Sequence, residues 1–246
     1  MFPIRDNVTR THPPIAVWGI IALNVAVFVY QLGLGSNQEL ALLYQHALVP
    51  LRYFSPRWAW ANDLSPTDFT PFVTYAFLHG GFLHIILNLW TLWIFGPALE
   101  DRLGSLRFCT LYLLAGIAAA LVHTLFNATS AVPVLGASGA IAGIIAAYAT
   151  RFPYAWVKVL VPIIIIPLFF DIPALLFVGI WFFVQVWQGA SELFMPVVGG
   201  VAWWAHIGGF VAGFMLLHAL EAGTGQAPRA GRGWYNGGPW EQSHRR

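Results

Sequence analysis

The chain has 246 residues, of which 58% are hydrophobic and 9% charged, with a formal net charge of +2 and a mean hydropathy of +0.68. A water-soluble domain carries roughly a quarter charged residues, so this chain lacks the polar surface for water and reads as an integral membrane protein. The small net charge argues against a nucleic-acid partner, and a single cysteine, Cys109, excludes a disulfide framework or a thiolate metal cluster.

Residues 1–14, with Arg5 and Arg10, form a basic segment ahead of an apolar run at 15–32. That run is long, and 33–37 offers no clear small-x-small cleavage site, so it is expected to be a retained first transmembrane helix rather than a signal peptide. Residues 35–70 read as a long mixed loop whose Trp, Tyr and Phe suit a membrane–water interface. Loops of that length are usually functional or partly buried. Further helices are expected at about 78–98, 106–126, 138–150, 172–187 and 202–220. The segment 156–170 is apolar but holds Lys158, Pro162 and Pro167. Two interior prolines kink a helix and each removes a donor, so it is expected to be extended or interfacial, not a seventh span. Residues 221–246 are expected to be a flexible cytoplasmic tail, whose basic, Gly- and Trp-rich part at 227–246 lies near an anionic leaflet.

Six spans put both termini on one side. That side holds ten of the twelve basic residues, all except Arg52 and Arg57. The positive-inside rule then makes it the cytoplasmic side, and the plasma (inner) membrane is the expected location.

The stretch at 135–143, Leu-Gly-Ala-Ser-Gly-Ala-Ile-Ala-Gly, sets Ser138 between Gly136 and Gly139 where a polar loop runs into an apolar helix. N–H groups in a first helical turn lack intrahelical partners and, with the helix dipole, suit a developing oxyanion. Gly139-x-x-x-Gly143 is also a small-residue stripe of the kind that packs membrane helices, so this stretch alone does not decide between packing and chemistry. Depth separates the two. At 1.5 Å per residue, Ser138 stands about 18 Å above Thr150, His206 about 21 Å above Leu220, and Asn88 and His84 about 18 and 24 Å above Glu100. All four fall at one level within a hydrocarbon core of about 30 Å, where polar side chains are costly and face a bundle interior. The helix at 138–150 is too short to span, which brings water toward Ser138. His206 is a candidate base for the Ser138 hydroxyl. His84 and Asn88, at i and i+4, share a helix face from which donors could reach an oxyanion. No third acid lies at that depth, so a dyad is expected. His79 is read as loop support, and His123 and Gln185 as interhelical hydrogen bonders. His218 and Glu221 are read as boundary residues, and a His84/His206 zinc site is disfavoured for want of a carboxylate or thiolate at that level.

These residues give the chain its resemblance to the rhomboid family of intramembrane serine proteases. Gly136-Ala137-Ser138-Gly139 is similar to the family's G-x-S-G motif, and His84 to Asn88 to its H-x-x-x-N. Ala205-His206-x-x-Gly209 with Gly213 is similar to its A-H-x-x-G-x-x-x-G helix, and Glu100-x-Arg102-x-Gly104 to the loop after its second span. The resemblance covers about 15–220 and implies an all-α polytopic membrane protein, a six-transmembrane-helix rhomboid-like bundle. It implies Ser138 as nucleophile and His206 as general base. His84 and Asn88, with the backbone N–H groups of Ala137 and Ser138, become oxyanion donors. Gly136, Gly139, Gly143, Gly209, Gly213, Glu100 and Arg102 become structural supports. No metal or cofactor is implied, and the partners are transmembrane protein substrates and membrane lipids. Two departures stand out: Ala142 replaces the aromatic residue many relatives place four positions after the serine, and Arg57-Trp58 reverses the Trp-Arg order often seen in the first loop. The rival readings are an inactive rhomboid-like protein that binds membrane helices, and a small transporter using the midplane polar cluster.

Overall fold

The computed structural model describes residues 1–163, 166–194 and 201–222. The expected tail therefore lies almost wholly outside the described residues, as do 195–200 between the helices expected at 172–187 and 202–220. The fold is built around one short helix, α8 (Ser138–Arg151), whose residues from Gly139 to Ala149 are all buried. At 14 residues it rises about 21 Å, less than the hydrocarbon core. Around it stand α1 (Ile15–Leu32), α6 (Phe82–Leu103), α7 (Ser105–Phe126), α9 (Ala174–Phe194) and α10 (Trp203–Ala222). These five are long and apolar enough to cross a membrane. Their outward faces carry exposed Leu83, Leu125, Phe183 and Met215, as expected where the solvent is lipid.

Small residues let the central helix be enclosed. A Cβ on Gly139 would fall 2.6 Å from the Ala119 Cβ of α7, and one on Gly209 or Gly213 would run into the carbonyls of Gly139 and Gly143. The backbones of α8 and α10 therefore touch directly, an approach open only to glycine.

Helix ends differ from the sequence expectation for identifiable reasons. The second span starts at Phe82 instead of 78, after a short 3₁₀ turn at Tyr75–Phe77, and continues past Pro97 to Leu103. Its terminal charges are helical because each is partnered. Glu100 accepts the Ala16 and Val17 N–H groups at 2.8 and 2.9 Å, capping α1. Glu221 receives Arg102 at 3.2 Å and Arg151 at 3.0 Å, so it ties α6, α8 and α10 together and is not a mere boundary residue. Gly104, at φ +80, ends α6. The fifth span runs to Phe194, beyond the expected 187.

The two segments without helical pattern are ordered. The 35–70 loop contains α2 (Ser36–His46), α3 (Leu51–Phe54) and α4 (Pro56–Ala61), and α5 (Pro71–Thr74) follows it. Arg52 anchors this region, 1% exposed, donating to Ser65 O at 2.7 Å, Gln45 O at 3.3 Å and Asp68 Oδ2 at 2.9 Å. It does the anchoring that the reversed Arg57-Trp58 pair left open. The 156–170 segment is extended, as its prolines predict, but it is also paired. β2 (Trp156–Ile163) and β3 (Ile166–Pro173) form an antiparallel hairpin, and β1 (Phe2–Asp6) adds a third strand against β2. Asp6 accepts from Tyr148 Oη at 2.9 Å and Trp156 N donates to Asn7 Oδ1 at 2.8 Å, locking the N-terminal strand under α8.

Two outcomes follow. Gly209→Ala should lower the apparent melting temperature in detergent, since overpacking a filled contact costs about 1–3 kcal/mol. Gly179→Ala on α9, where an added Cβ meets nothing within 4 Å, should leave it unchanged or raise it slightly. At Asp68, burial works against ionisation, but the Thr70 hydroxyl and N–H and the Arg52 guanidinium outweigh it and hold the carboxyl below 3.8. Its contribution is present above the unfolded-state value and is lost as pH falls through the lowered one. Limited proteolysis of the 35–70 region should therefore accelerate below about pH 4, and Asp68→Asn should show the fast rate already at neutral pH.

Candidate active site

Ser138 is the first residue of α8, reached through Gly136 at φ +120, a left-handed conformation that favours glycine. Gly136 N donates to Tyr75 O at 2.9 Å, which seats the turn, and the Tyr75 hydroxyl donates to Gly116 O at 2.7 Å. Ser138 Oγ lies 2.8 Å from Nε2 of His206 on α10. The nucleophile–base pair expected from the motifs is thus within hydrogen-bond reach.

His84 and Asn88 face the same turn from α6. The position a Cβ on Gly136 would occupy is 2.6 Å from His84 Nε2 and 3.7 Å from Asn88 Nδ2. Glycine keeps that space free beside the serine, and two side-chain donors are directed at it. Asn88 Nδ2 is buried with no hydrogen-bond partner, a costly condition unless something else is to be bound there. His84 Nδ1 accepts from Gly80 N at 3.4 Å, which leaves Nε2 as the protonated nitrogen. Ser138 also begins α8, and the N–H groups of a first helical turn have no intrahelical partners. This geometry suits an oxygen that acquires negative charge.

A cavity of about 950 Å³ lies over the pair, lined by His84, Gly136, Ser138 and His206, with the 129–135 loop residues along its side. His123 also lines it. The His123 bonds lie within its own turn, to Asn127 Nδ2, and not across to another helix as expected. His79 supports the loop through its backbone, since Gln31 Nε2 donates to its carbonyl at 3.1 Å and its N–H donates to Gln31 Oε1 at 3.0 Å. Burial, and then the nearby His84, push its ring down to about 4, so it stays neutral beside the site. Among the described residues no group of three His, Cys, Asp or Glu side chains is placed to hold a metal ion.

His206 is oriented by contacts other than the missing aromatic at Ala142. His206 Nδ1 lies 2.7 Å from Gln185 Oε1 on α9, and its ring is flanked by Trp181 and Trp203 at centroid distances of 5.9 and 6.2 Å. The interhelical hydrogen bond expected of Gln185 is present, and its partner on α10 is His206. That partner, like the Gln31 and Tyr75 contacts, depends on helix packing that no local pattern encodes.

Comparison with known proteins places the chain in a family. The model of the Rhomboid domain matches residues 66–221. The chain is 28% identical over 237 residues to Rhomboid protein 1, mitochondrial, of Saccharomyces cerevisiae, covering 92% of this chain and 60% of that protein. It is 32% identical over 151 residues to Presenilin-associated rhomboid-like protein A, mitochondrial, of Danio rerio (60% of this chain and 36% of that one). It is 29% identical over 170 residues to RHOMBOID-like protein 4 of Arabidopsis thaliana (68% and 37%). The chain thus spans between about a third and three fifths of these relatives' length. With the domain match running from the first loop through the last helix, the chain belongs to the rhomboid family.

Proposed function

We propose that this protein is an intramembrane serine endopeptidase that cleaves transmembrane protein substrates through an acyl-enzyme. The observation that carries the proposal is the 2.8 Å contact of Ser138 Oγ with His206 Nε2 beside the space that Gly136 leaves to His84 and Asn88. In this reaction Ser138 Oγ attacks a substrate carbonyl carbon while His206 Nε2 takes its proton. The carbonyl oxygen becomes an oxyanion facing His84 Nε2–H, Asn88 Nδ2–H and the Ala137–Ser138 backbone. The intermediate collapses as the C–N bond breaks and His206 returns the proton to the departing amine. Water, activated by His206 in turn, hydrolyses the ester and frees Ser138.

A peptide bond within a regular helix is shielded, so substrates are membrane segments that unwind locally, with Gly, Pro or β-branched residues near the loop-side face of the bilayer. The 10:2 partition of basic residues supports both termini on the cytoplasmic side of the membrane. A plasma membrane draws no support from the relatives, two of which are named mitochondrial, and is not part of the proposal.

A fluorophosphonate probe should label the detergent-solubilised protein at Ser138 and fail to label Ser138→Ala, which should also lose cleavage of a model transmembrane substrate. A helix-binding protein without catalysis would leave Ser138 unlabelled, and cleavage retained in Ser138→Ala would refute the reading. Asn88→Ala should lower kcat by about 10²-fold, the usual cost of one oxyanion donor, in a single-turnover assay.

A further inference from the structure

Gln185 sits mid-way along α9, 5% exposed, with both ends of its amide committed. Its Nε2 donates to Trp181 O at 3.0 Å, one turn back on the same helix. A backbone carbonyl only accepts, so the amide nitrogen must face Trp181 and the amide oxygen must face His206. That oxygen also only accepts, and it lies 2.7 Å from His206 Nδ1. The proton of a neutral His206 ring is therefore on Nδ1. Nε2 then carries the lone pair, and the 2.8 Å contact to Ser138 runs with the hydroxyl as donor.

We infer that Gln185 is a positioning residue: its amide oxygen, aimed by Trp181 O, holds His206 in the Nδ1–H tautomer and so presents Nε2 to Ser138 as a proton acceptor. A neutral amide meets this need without burying a carboxylate, whose desolvation would be costly at this depth. It also holds the ring where Ala142 supplies no aromatic platform, with Trp181 and Trp203 on its flanks. In the opposite tautomer Nε2–H would point at Ser138 and no base would be available. The consequence for rate rests on the endopeptidase reading above, whereas the tautomer assignment does not.

Other ionisable groups share the cavity: His84 on α6, His123 on α7 and Glu192 on α9. All are kept in the variants that test Gln185, so their part in a pH profile is common to each. The test uses ¹⁵N-histidine spectra of the full chain in lipid, with His206→Asn identifying the His206 signals. Wild type should show His206 protonated on Nδ1, and Gln185→Leu should show a mixture of tautomers. That variant should fold, as read by its melting curve, and lose about 10- to 100-fold in kcat with KM within about twofold. Gln185→Glu keeps the acceptor and adds charge. It should restore the Nδ1–H signal and move the acidic limb of the kcat/KM profile upward by about one pH unit or more, because a facing carboxylate favours the imidazolium. A wild-type ring protonated on Nε2, or spectra and pH profiles indifferent to the residue at 185, would overturn the assignment. If wild type shows the Nδ1–H ring but neither cleaves nor takes up a fluorophosphonate, the endopeptidase reading fails and the tautomer assignment stands.

Discussion

The contact on which the rest of this molecule depends is the direct apposition of two helix backbones, Gly209 and Gly213 of α10 against the carbonyls of Gly139 and Gly143 of α8. Lipid chains are as apolar as leucine, so burial from water does little to hold helices together within the bilayer. Dispersion at close range and the absence of side-chain bulk do it instead. Ser138 begins one of these helices and His206 lies one turn before Gly209 on the other, so the spacing of the glycines also sets the spacing of hydroxyl and imidazole. Ala115 and Ala119 of α7 close the third side of the same seam.

Around that seam the molecule carries a polar cluster where polar groups are costly. It does so by completing nearly every bond. His206 is held on both ring nitrogens, His84 on one, and the turn at Gly136 by the Tyr75 carbonyl. Two donors lie beside the space at Gly136, His84 Nε2 and Asn88 Nδ2, the latter buried with no partner. Another set of charged residues lies at the opposite ends of the helices. There Glu100, Arg102, Arg151 and Glu221 cap and cross-link helix termini.

Ser138, His206, His84 and Asn88 were legible from the sequence because each is polar in an apolar setting at a countable depth. The glycine stripes gave the helix contact that joins them. Helix ends were less legible: charge at Glu100 and Arg102 looks like a terminus until the Ala16 N–H and Glu221 are seen as partners. The short helices of the 35–70 segment escaped because four to eleven residues leave little room for a periodic pattern. Arg52, Gln31 and Tyr75 each bond across 13 or more residues. The β1–β2 pairing joins residue 2 to residue 160, and only tertiary structure reports that.

The brevity of α8 has a final consequence. Because the helix is only 14 residues long, about four turns, the recess above Ser138 is rimmed by loop residues such as Val132 and Pro133 rather than closed over by a further turn. On the endopeptidase reading, the water that hydrolyses the ester would enter through this loop-lined recess.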